Sequence, residues 1–238
     1  TINNSINQNQ IATIAGNLAV VGAGSLHTQA ALNDARAITN AMILSGNGAL
    51  TNLGLGTGPG YVVYQGNNTG FTGPLIVTSN TTLQAASQAN LGGNPPGFSA
   101  GQLTLNNGTF VPTVSMSLNN ANSGVTIAAG GGAFNIPAGV TLTVSNPIAG
   151  PGHLLIAGGG TLVVTANNSS SGNLVVSNST LALVGNASVN NFLLGVSNNA
   201  TVDLTALNVP LAVSNRIALA GILRANVNSA GMSSRLVA

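Results

Sequence analysis

The sequence predicts an all-β fold, a single parallel β-solenoid. Three observations lead to this prediction. Short apolar runs alternate with turn residues along most of the chain. A block of sequence is used twice, and charge is almost absent, at 3% of 238 residues against roughly 25% in an ordinary soluble domain.

The apolar runs have three to five residues, and Gly, Asn or Ser lies between them. β-Branched and Leu side chains dominate, which is typical of buried strands. The runs that we interpret as strands are Tyr61–Tyr64, Leu75–Val77, Leu103–Leu105, Val125–Ile127, Val140–Val144, Leu154–Ile156, Thr161–Val164, Leu174–Val176, Leu181–Val184, Phe192–Leu194, Val202–Leu204, Leu211–Val213 and Ile217–Leu219.

One segment departs from the strand pattern. Leu26 to Ile38, with the sequence LHTQAALNDARAI, is rich in Ala, Leu, Gln and Arg and poor in turn residues. These residues favour helix. A short N-terminal helix is therefore the alternative to a strand in this segment.

An internal repeat has an offset of about 100 residues. The segment Ser45–Leu50 aligns with Ala149–Leu154, and Leu75–Val77 aligns with Leu174–Val176. We predict an N-terminal cap or assembly segment at 1–37, a solenoid with two such repeats at 38–220, and a C-terminal end coil at 221–238.

The lack of charge fits stacked coils. Strands in adjacent coils lie about 4.8 Å apart, so that like side chains stand above one another. Stacked amides or aliphatic side chains attract at that spacing, whereas stacked like charges repel. No Asp, Glu, Lys or Arg occurs from Ala37 to Val202, and the chain has 34 Asn. At about 20 residues per coil, we expect roughly a dozen coils.

Composition excludes several kinds of site. Four Arg and no Lys make no phosphate-binding patch, so no nucleic acid is expected as a partner. Without Cys there is neither a thiolate metal site nor a disulfide, and no apolar run approaches the ~18 residues of a membrane helix. The only carboxylate side chains, Asp34 and Asp203, are 169 positions apart and cannot form a glycosidase pair in one solenoid. We expect no catalytic residue, cofactor or metal, and no enzyme activity.

Several segments resemble the autotransporter-associated β-strand repeat. They are Leu91–Phe110, Gly124–Asn168, the segment SGNLVVSNSTLALVGN that follows, and the earlier segment Gly66–Ser87. The resemblance covers about residues 38 to 190. It implies a parallel β-helix of the kind found in large bacterial surface and secreted proteins, commonly in type V secretion passengers.

Two functions follow as hypotheses. The first is an extracellular structural protein that associates with itself, head to tail, into a filament, because a nearly uncharged solenoid has little repulsion between copies and two open ends. The alternative is an adhesin or passenger fragment that binds a surface ligand; Asn-x-Ser/Thr sequons also leave glycan attachment open. The residues that we assign to self-assembly are Ile11, Ile14, Leu18, Val20, Val21, Asp34, Arg36, Asp203, Arg216 and Arg224.

Overall fold

A computed structural model describes residues 2–4, 11–30, 36–56, 60–189, 193–209, 211 and 217–225. The chain forms a parallel β-solenoid of about eight turns with almost no helix, which confirms the predicted fold class. Three faces run along it, and strands of adjacent coils pair in parallel on each, with one break in the ladder of the first face before residues 167–168.

The first face contains β1 (Ile2–Asn4), β3 (Gly24–Ala30), β5 (Leu50–Gly56), the first parts of β8 (Leu75–Ala85) and β9 (Ser99–Pro112), β11 (Ser123–Ile127), β14 (Ile148–Ala149), β17 (Asn167–Asn168) and β20 (Ser188–Val189). The second face contains β2 (Ile11–Ala19), β4 (Arg36–Gly46), β6 (Gly60–Tyr64), the second parts of β8 and β9, β12 (Gly132–Asn135), β15 (Leu154–Ala157), β18 (Leu174–Val176), β21 (Leu194–Val196) and β23 (Ile217–Leu219). The third contains β10 (Met116–Leu118), β13 (Thr141–Val144), β16 (Thr161–Val164), β19 (Thr180–Leu183), β22 (Thr201–Asp203) and β24 (Ile222–Arg224). A short β7 (Gly70–Phe71) pairs with the end of β4, and α1 spans Gln88–Leu91.

The core consists of aligned columns of apolar side chains. Alternate residues of each strand point inward, and the parallel register places each inward residue over its counterpart in the next coil. Phe110 and Phe134 are register partners whose rings meet edge to face at 6.2 Å between centroids. The buried column of the second face runs through Val62, Leu83, Phe110, Phe134, Ile156, Val176 and Val196.

Two sequence predictions are corrected. Residues 24–30 and 36–46 are the strands β3 and β4, so the helix expected from Leu26 to Ile38 does not form there. Pairing of β3 with strands on both sides satisfies its backbone groups, and this long-range gain overrides the local helix propensity. The chain also makes about eight turns rather than a dozen, because many coils are longer than 20 residues. For example, Leu75 pairs with Leu103.

The corners use residues that tolerate positive φ. Asn80, Asn107, Asn178 and Asn199 have φ between 48° and 62°, a left-handed conformation in which Asn is enriched. At other corners the backbones of successive coils approach so closely that only glycine fits. A Cβ on Gly172 would overlap the carbonyl oxygen of Gly152. The Gly- and Asn-rich composition is therefore a requirement of the corners.

Side-chain amides join adjacent coils at the corners. The Asn168 Oδ1 accepts a hydrogen bond from the Ile148 backbone N–H at 2.7 Å, and its Nδ2 donates to the Ser188 carbonyl at 2.7 Å. The Asn68 Oδ1 accepts from the Leu44 N–H at 2.8 Å. These amides bond to backbone groups of the next coil, and thereby satisfy buried donors and acceptors where the strand ladder is interrupted.

Candidate functional site

The apolar residues assigned to self-assembly lie at the N-terminal end of the solenoid. Ile11, Ile14 and Leu18 are in β2, and Val20 and Val21 follow it. β2 pairs in parallel with β4, from Ile11 opposite Ala37 onward, and has no second neighbour among the described strands. This segment therefore belongs to the solenoid of its own chain, and one edge of β2 has no partner among the described strands.

A cavity of about 250 Å³ opens at this end of the core. Leu18, Val20, Val21, Met42 and Leu50 are among the residues that line it. The Val21 side chain is 83% exposed, which is unusual for a large aliphatic group. The N-terminal end thus presents apolar surface and a strand edge together.

A buried polar cluster lies behind this cavity. The Tyr64 hydroxyl donates a hydrogen bond to Asn52 Oδ1 at 2.9 Å, and Asn40 is the register partner of Tyr64 in the adjacent coil. Burial raises the pKa of Tyr64 well above its usual range, and hydrogen bonds with Asn52 and Asn40 oppose that rise only in part. The phenol therefore stays neutral, and its polar end is held by an amide.

The charged residues assigned to self-assembly are only partly within the described chain. Asp203 and Arg224 are register partners on β22 and β24, on the outer side of the third face. Hydrogen bonds from Thr205 lower the pKa of Asp203, and the charge of Arg224 adds to this effect. Arg36 begins β4, while Asp34 and Arg216 lie outside the described residues. Within one chain, Asp203 and Arg224 are neighbours, and the assignment of the charged residues to self-assembly stays a prediction.

The segment at residues 86–98, which we call the excursion, was not anticipated from the sequence as a site; its residues 90–93 are buried, and Leu91 belongs to the core. It contains α1 and extends the coil between β8 and β9. Asn90 anchors it to the preceding coil, because its Nδ2 donates to the carbonyls of Gln65 and Gly66 at 3.1 and 3.0 Å. The Asn90 Oδ1 accepts from the N–H groups of Ala86 and Ser87.

The following coil holds the other side of the excursion. The Gln88 Oε1 accepts from the Asn119 N–H at 2.6 Å and the Asn120 N–H at 3.2 Å. The Asn122 N–H donates to Asn94 Oδ1 at 2.8 Å, and the Asn122 Nδ2 donates to the Pro95 carbonyl at 2.9 Å. Neutral amides therefore fix the excursion to both neighbouring coils.

This excursion presents an aromatic ring to solvent. Phe98 is 58% exposed, whereas Phe71, Phe110 and Phe134 are buried in the core. Two prolines at 95 and 96 restrict the backbone that precedes it. An exposed aromatic side chain on a restrained segment is a common anchor for binding. The sequence signal that marked it was the run NPPGF, which interrupts the regular spacing of strands.

Catalytic and metal-binding groups do not cluster in the part of the chain that the structure describes. There, no three His, Cys, Asp or Glu side chains come together, and Asp203 is the only acidic side chain. In the same residues, no helix has the length and hydropathy needed to cross a membrane.

The chain is similar to an adhesin. An alignment of 171 residues, which covers 66% of this chain, is 32% identical to the adhesin BmaC autotransporter of Brucella suis biovar 1 (strain 1330). The chain spans only 5% of that much longer protein. No family model and no solved structure matches the chain. The β-solenoid thus has a weak relative among autotransporter adhesins, and membership in a specific repeat family stays a prediction.

Proposed function

We propose that this chain is a non-enzymatic segment of a bacterial surface adhesin. Its solenoid acts as a rigid spacer, and its excursion at residues 86–98 contacts the ligand. The proposal rests on the likeness to a named autotransporter adhesin together with one observation, the exposed Phe98 on an excursion tied to two coils.

The surroundings of Phe98 favour a neutral ligand. No Asp, Glu, Lys or Arg occurs between Ala37 and Val202, so that this surface offers amides, hydroxyls and an aromatic ring instead. Such groups form hydrogen bonds with neutral hydroxyl or amide groups of a ligand, and the Phe98 ring packs on an apolar part of the ligand. The attachment should therefore depend little on ionic strength.

The test is adhesion of beads coated with the purified chain to cultured cells and to arrays of glycans and matrix proteins. We expect binding by the wild type, and at least a tenfold loss with Phe98→Ala. The matched control is Leu155→Ala, which removes a partly exposed apolar side chain from β15, a strand that pairs with β12 and β18. If the folded wild type does not bind, the adhesin function is wrong. If Phe98→Ala binds as well as the control variant, the excursion is not the binding surface.

End-to-end self-association is a second candidate, and the N-terminal end favours it. There the edge of β2, the exposed Val21 and the 250 Å³ cavity lie together, and Leu219 and Ile222 are about half exposed at the other end. A head-to-tail contact between unlike ends would propagate as a filament.

Light scattering, sedimentation and electron microscopy at rising concentration test this candidate. We expect assembly by the full chain, and its loss on deletion of residues 1–21. Val21→Arg, which places a charge on an already exposed position, should also block assembly without unfolding the chain. A full-length chain that stays monomeric at high concentration would contradict self-association.

A further inference from the structure

Four asparagines at corners of the solenoid have a left-handed conformation, and each begins an Asn-x-Thr sequon. They are Asn80, Asn107, Asn178 and Asn199, with φ between 48° and 62°. Every asparagine with positive φ among the described residues belongs to this set, whereas only two of the nine glycines with positive φ have Thr two positions later. A turn needs only a residue that tolerates positive φ, so the turn alone does not account for the Thr.

Both recognition groups of these four sequons, the amide and the hydroxyl, face outward. The four Asn side chains are exposed, and the Thr side chains two positions later are partly exposed. The residues between them are buried, and they are Thr81, Gly108, Ser179 and Ala200. Each Asn and its Thr therefore flank an inward residue and lie together on the outer side, where an enzyme reaches them without unfolding a coil.

The amides and hydroxyls of these four sequons are not used inside the fold. Within the part of the chain that the structure describes, none of the four amide groups has a hydrogen-bond partner. The same holds there for the hydroxyl groups of Thr82, Thr109, Thr180 and Thr201. In the remaining Asn-x-Thr sequon, by contrast, the Asn67 Oδ1 accepts a hydrogen bond from the Thr69 N–H at 3.3 Å.

The Asn-x-Ser sequon at Asn168 has the opposite orientation. Asn168 and Ser170 are 5% and 0% exposed, while Ser169 between them is exposed. The Asn168 amide is hydrogen-bonded to backbone groups of the coils before and after it, and the Ser170 hydroxyl donates to the Gly150 carbonyl at 2.9 Å. The fold therefore separates sequons that the motif alone does not distinguish.

We propose that Asn80, Asn107, Asn178 and Asn199 are acceptor sites for N-linked glycosylation by a separate glycosyltransferase. The donor is a sugar diphosphate. The Asn Nδ2 forms a bond to the anomeric carbon of the sugar, and the bond from that carbon to the diphosphate oxygen breaks. The diphosphate leaves, and the amide loses one proton. This inference does not depend on the adhesin function.

Glycans at these positions would supply hydration that charge does not. No Asp, Glu, Lys or Arg occurs from Ala37 to Val202, so that the long sides of two copies repel each other little. Asn80 and Asn107 lie in adjacent coils between the first and second faces, and Asn178 and Asn199 lie in adjacent coils between the second and third. Bulky neutral sugars at these two corners oppose lateral contact between solenoids and leave the two ends open.

The first test is mass spectrometry of chymotryptic peptides from the chain isolated from the cells that produce it. We expect sugar on the four corner asparagines and none on Asn168. A single sugar on each site indicates a nucleotide-linked donor, and a preassembled oligosaccharide indicates a lipid-linked donor. If all four asparagines are unmodified, or if Asn168 carries sugar, the proposal is wrong.

The second test uses the purified, folded chain with a soluble N-glycosyltransferase and UDP-glucose, and circular dichroism checks the fold of each variant. Thr180→Val removes the hydroxyl and keeps a β-branched side chain in the strand. It should slow transfer to Asn178 by about tenfold or more and leave transfer to Asn199 unchanged.

The matched control is Thr180→Ser, which keeps the hydroxyl and gives Asn178 the same Asn-x-Ser type of sequon as Asn168. Transfer to Asn178 should persist in this variant, so that burial and not the Ser accounts for an unmodified Asn168. Equal rates at Asn178 in the wild type and Thr180→Val would contradict recognition of the outward sequon. Transfer to Asn168 as fast as to Asn178 would contradict the role of orientation.

Discussion

The two halves of the solenoid differ in the length of their coils, although their strands stack in the same way. In the N-terminal half Leu50 pairs with Leu75, and Leu75 with Leu103, steps of 25 and 28 residues. In the C-terminal half Leu142 pairs with Leu162, and Leu162 with Leu181, steps of 20 and 19 residues. The stacked core residue is leucine in each case.

The additional residues of the N-terminal half lie partly in longer strands, such as the 11 residues of β4 and of β8 against the four of β13 and of β16, and partly in the excursion at residues 86–98. The register cannot change freely, because each inward residue must meet its counterpart in the next coil. The excursion lies outside the strand ladders, and the amides of Gln88 and Asn90 hold it to its neighbours by hydrogen bonds. The comparison teaches that the inward residues fix the register, while the length of the segments between them varies.

The largest expected effect is the loss of stability when a residue of the buried column is truncated. It tests whether that column runs through both halves. Phe110→Ala should lower the free energy of unfolding by about 3–5 kcal/mol, and Ile156→Ala by about 2–5 kcal/mol, because both side chains are fully buried in that column. Urea unfolding followed by circular dichroism measures both changes. The control is Leu155→Ala, the neighbouring outward residue, at about 0.5 kcal/mol or less. An equal effect of the Ile156 and Leu155 substitutions would contradict the register of the C-terminal half.

The second largest effect is the loss of stability when a glycine at a close approach between coils is replaced, and we expect it in both halves. A Cβ on Gly73 would overlap the Gly48 carbonyl oxygen, and a Cβ on Gly172 would overlap that of Gly152. We expect either Gly→Ala substitution to cost about 1–3 kcal/mol by forcing the coils apart. Thermal and urea unfolding measure the loss. Gly97→Ala in the excursion is the control, since a Cβ there meets nothing within 4 Å, and a loss as large as that of Gly172→Ala would argue against close stacking.

High pH should distinguish the halves through Tyr64, which lies in the N-terminal half. Its pKa is raised in the folded chain, so the phenol is neutral in both states at pH 7, and only the unfolded state ionises near pH 10. Stability is therefore complete below about pH 10 and falls above it, by up to about 1.4 kcal/mol per pH unit. Unfolding of the wild type and Tyr64→Phe between pH 8 and 11 measures this slope. The same slope in both proteins would exclude Tyr64 as its origin.

The smallest effect concerns Asp203, in the C-terminal half. Its pKa is lowered in the folded chain, so its contribution is present above the unfolded-state pKa near 4 and is lost as the pH falls through the folded value. Asp203 is partly exposed at the surface, where solvent screens its interactions, and we expect Asp203→Asn to change stability at pH 7 by less than about 0.5 kcal/mol. Melting between pH 2 and 7, at low and molar NaCl, measures this. A sharp wild-type transition between pH 3 and 5 would contradict a fold that depends little on ion pairs.

Local pattern predicted the regular strands well. Val125–Ile127 and Thr161–Val164 are β-branched and apolar, and the structure places strands there. For Leu26–Ile38 the sequence left helix and strand open, because helix propensity is local, whereas pairing with distant coils makes residues 26–30 and 36–38 strands. β2 and β5 were missed because Gly, Asn and Thr interrupt their apolar residues.

The candidate site was harder to predict than the fold. Phe98 follows the run NPPG, yet that signal does not by itself predict that Phe98 is exposed while Phe110 lies in the core; Phe98 precedes β9, whereas Phe110 is an inward residue of that strand. The amides that hold the excursion act between residues more than 20 positions apart, so no short motif reveals them. The apolar residues in and after β2 lie at one end of the solenoid, and their role in self-assembly stays a prediction.

The steps of 19 to 28 residues between register partners also determine how the chain closes upon itself. The entropy lost on closing a loop grows only with the logarithm of its length, so each new coil carries nearly the same entropic cost as the one before it. That cost does not depend on how many coils have already formed, because each coil contacts mainly its neighbours. The folding barrier for extension is therefore set by one coil, and a solenoid of this design can lengthen without becoming topologically slower to fold.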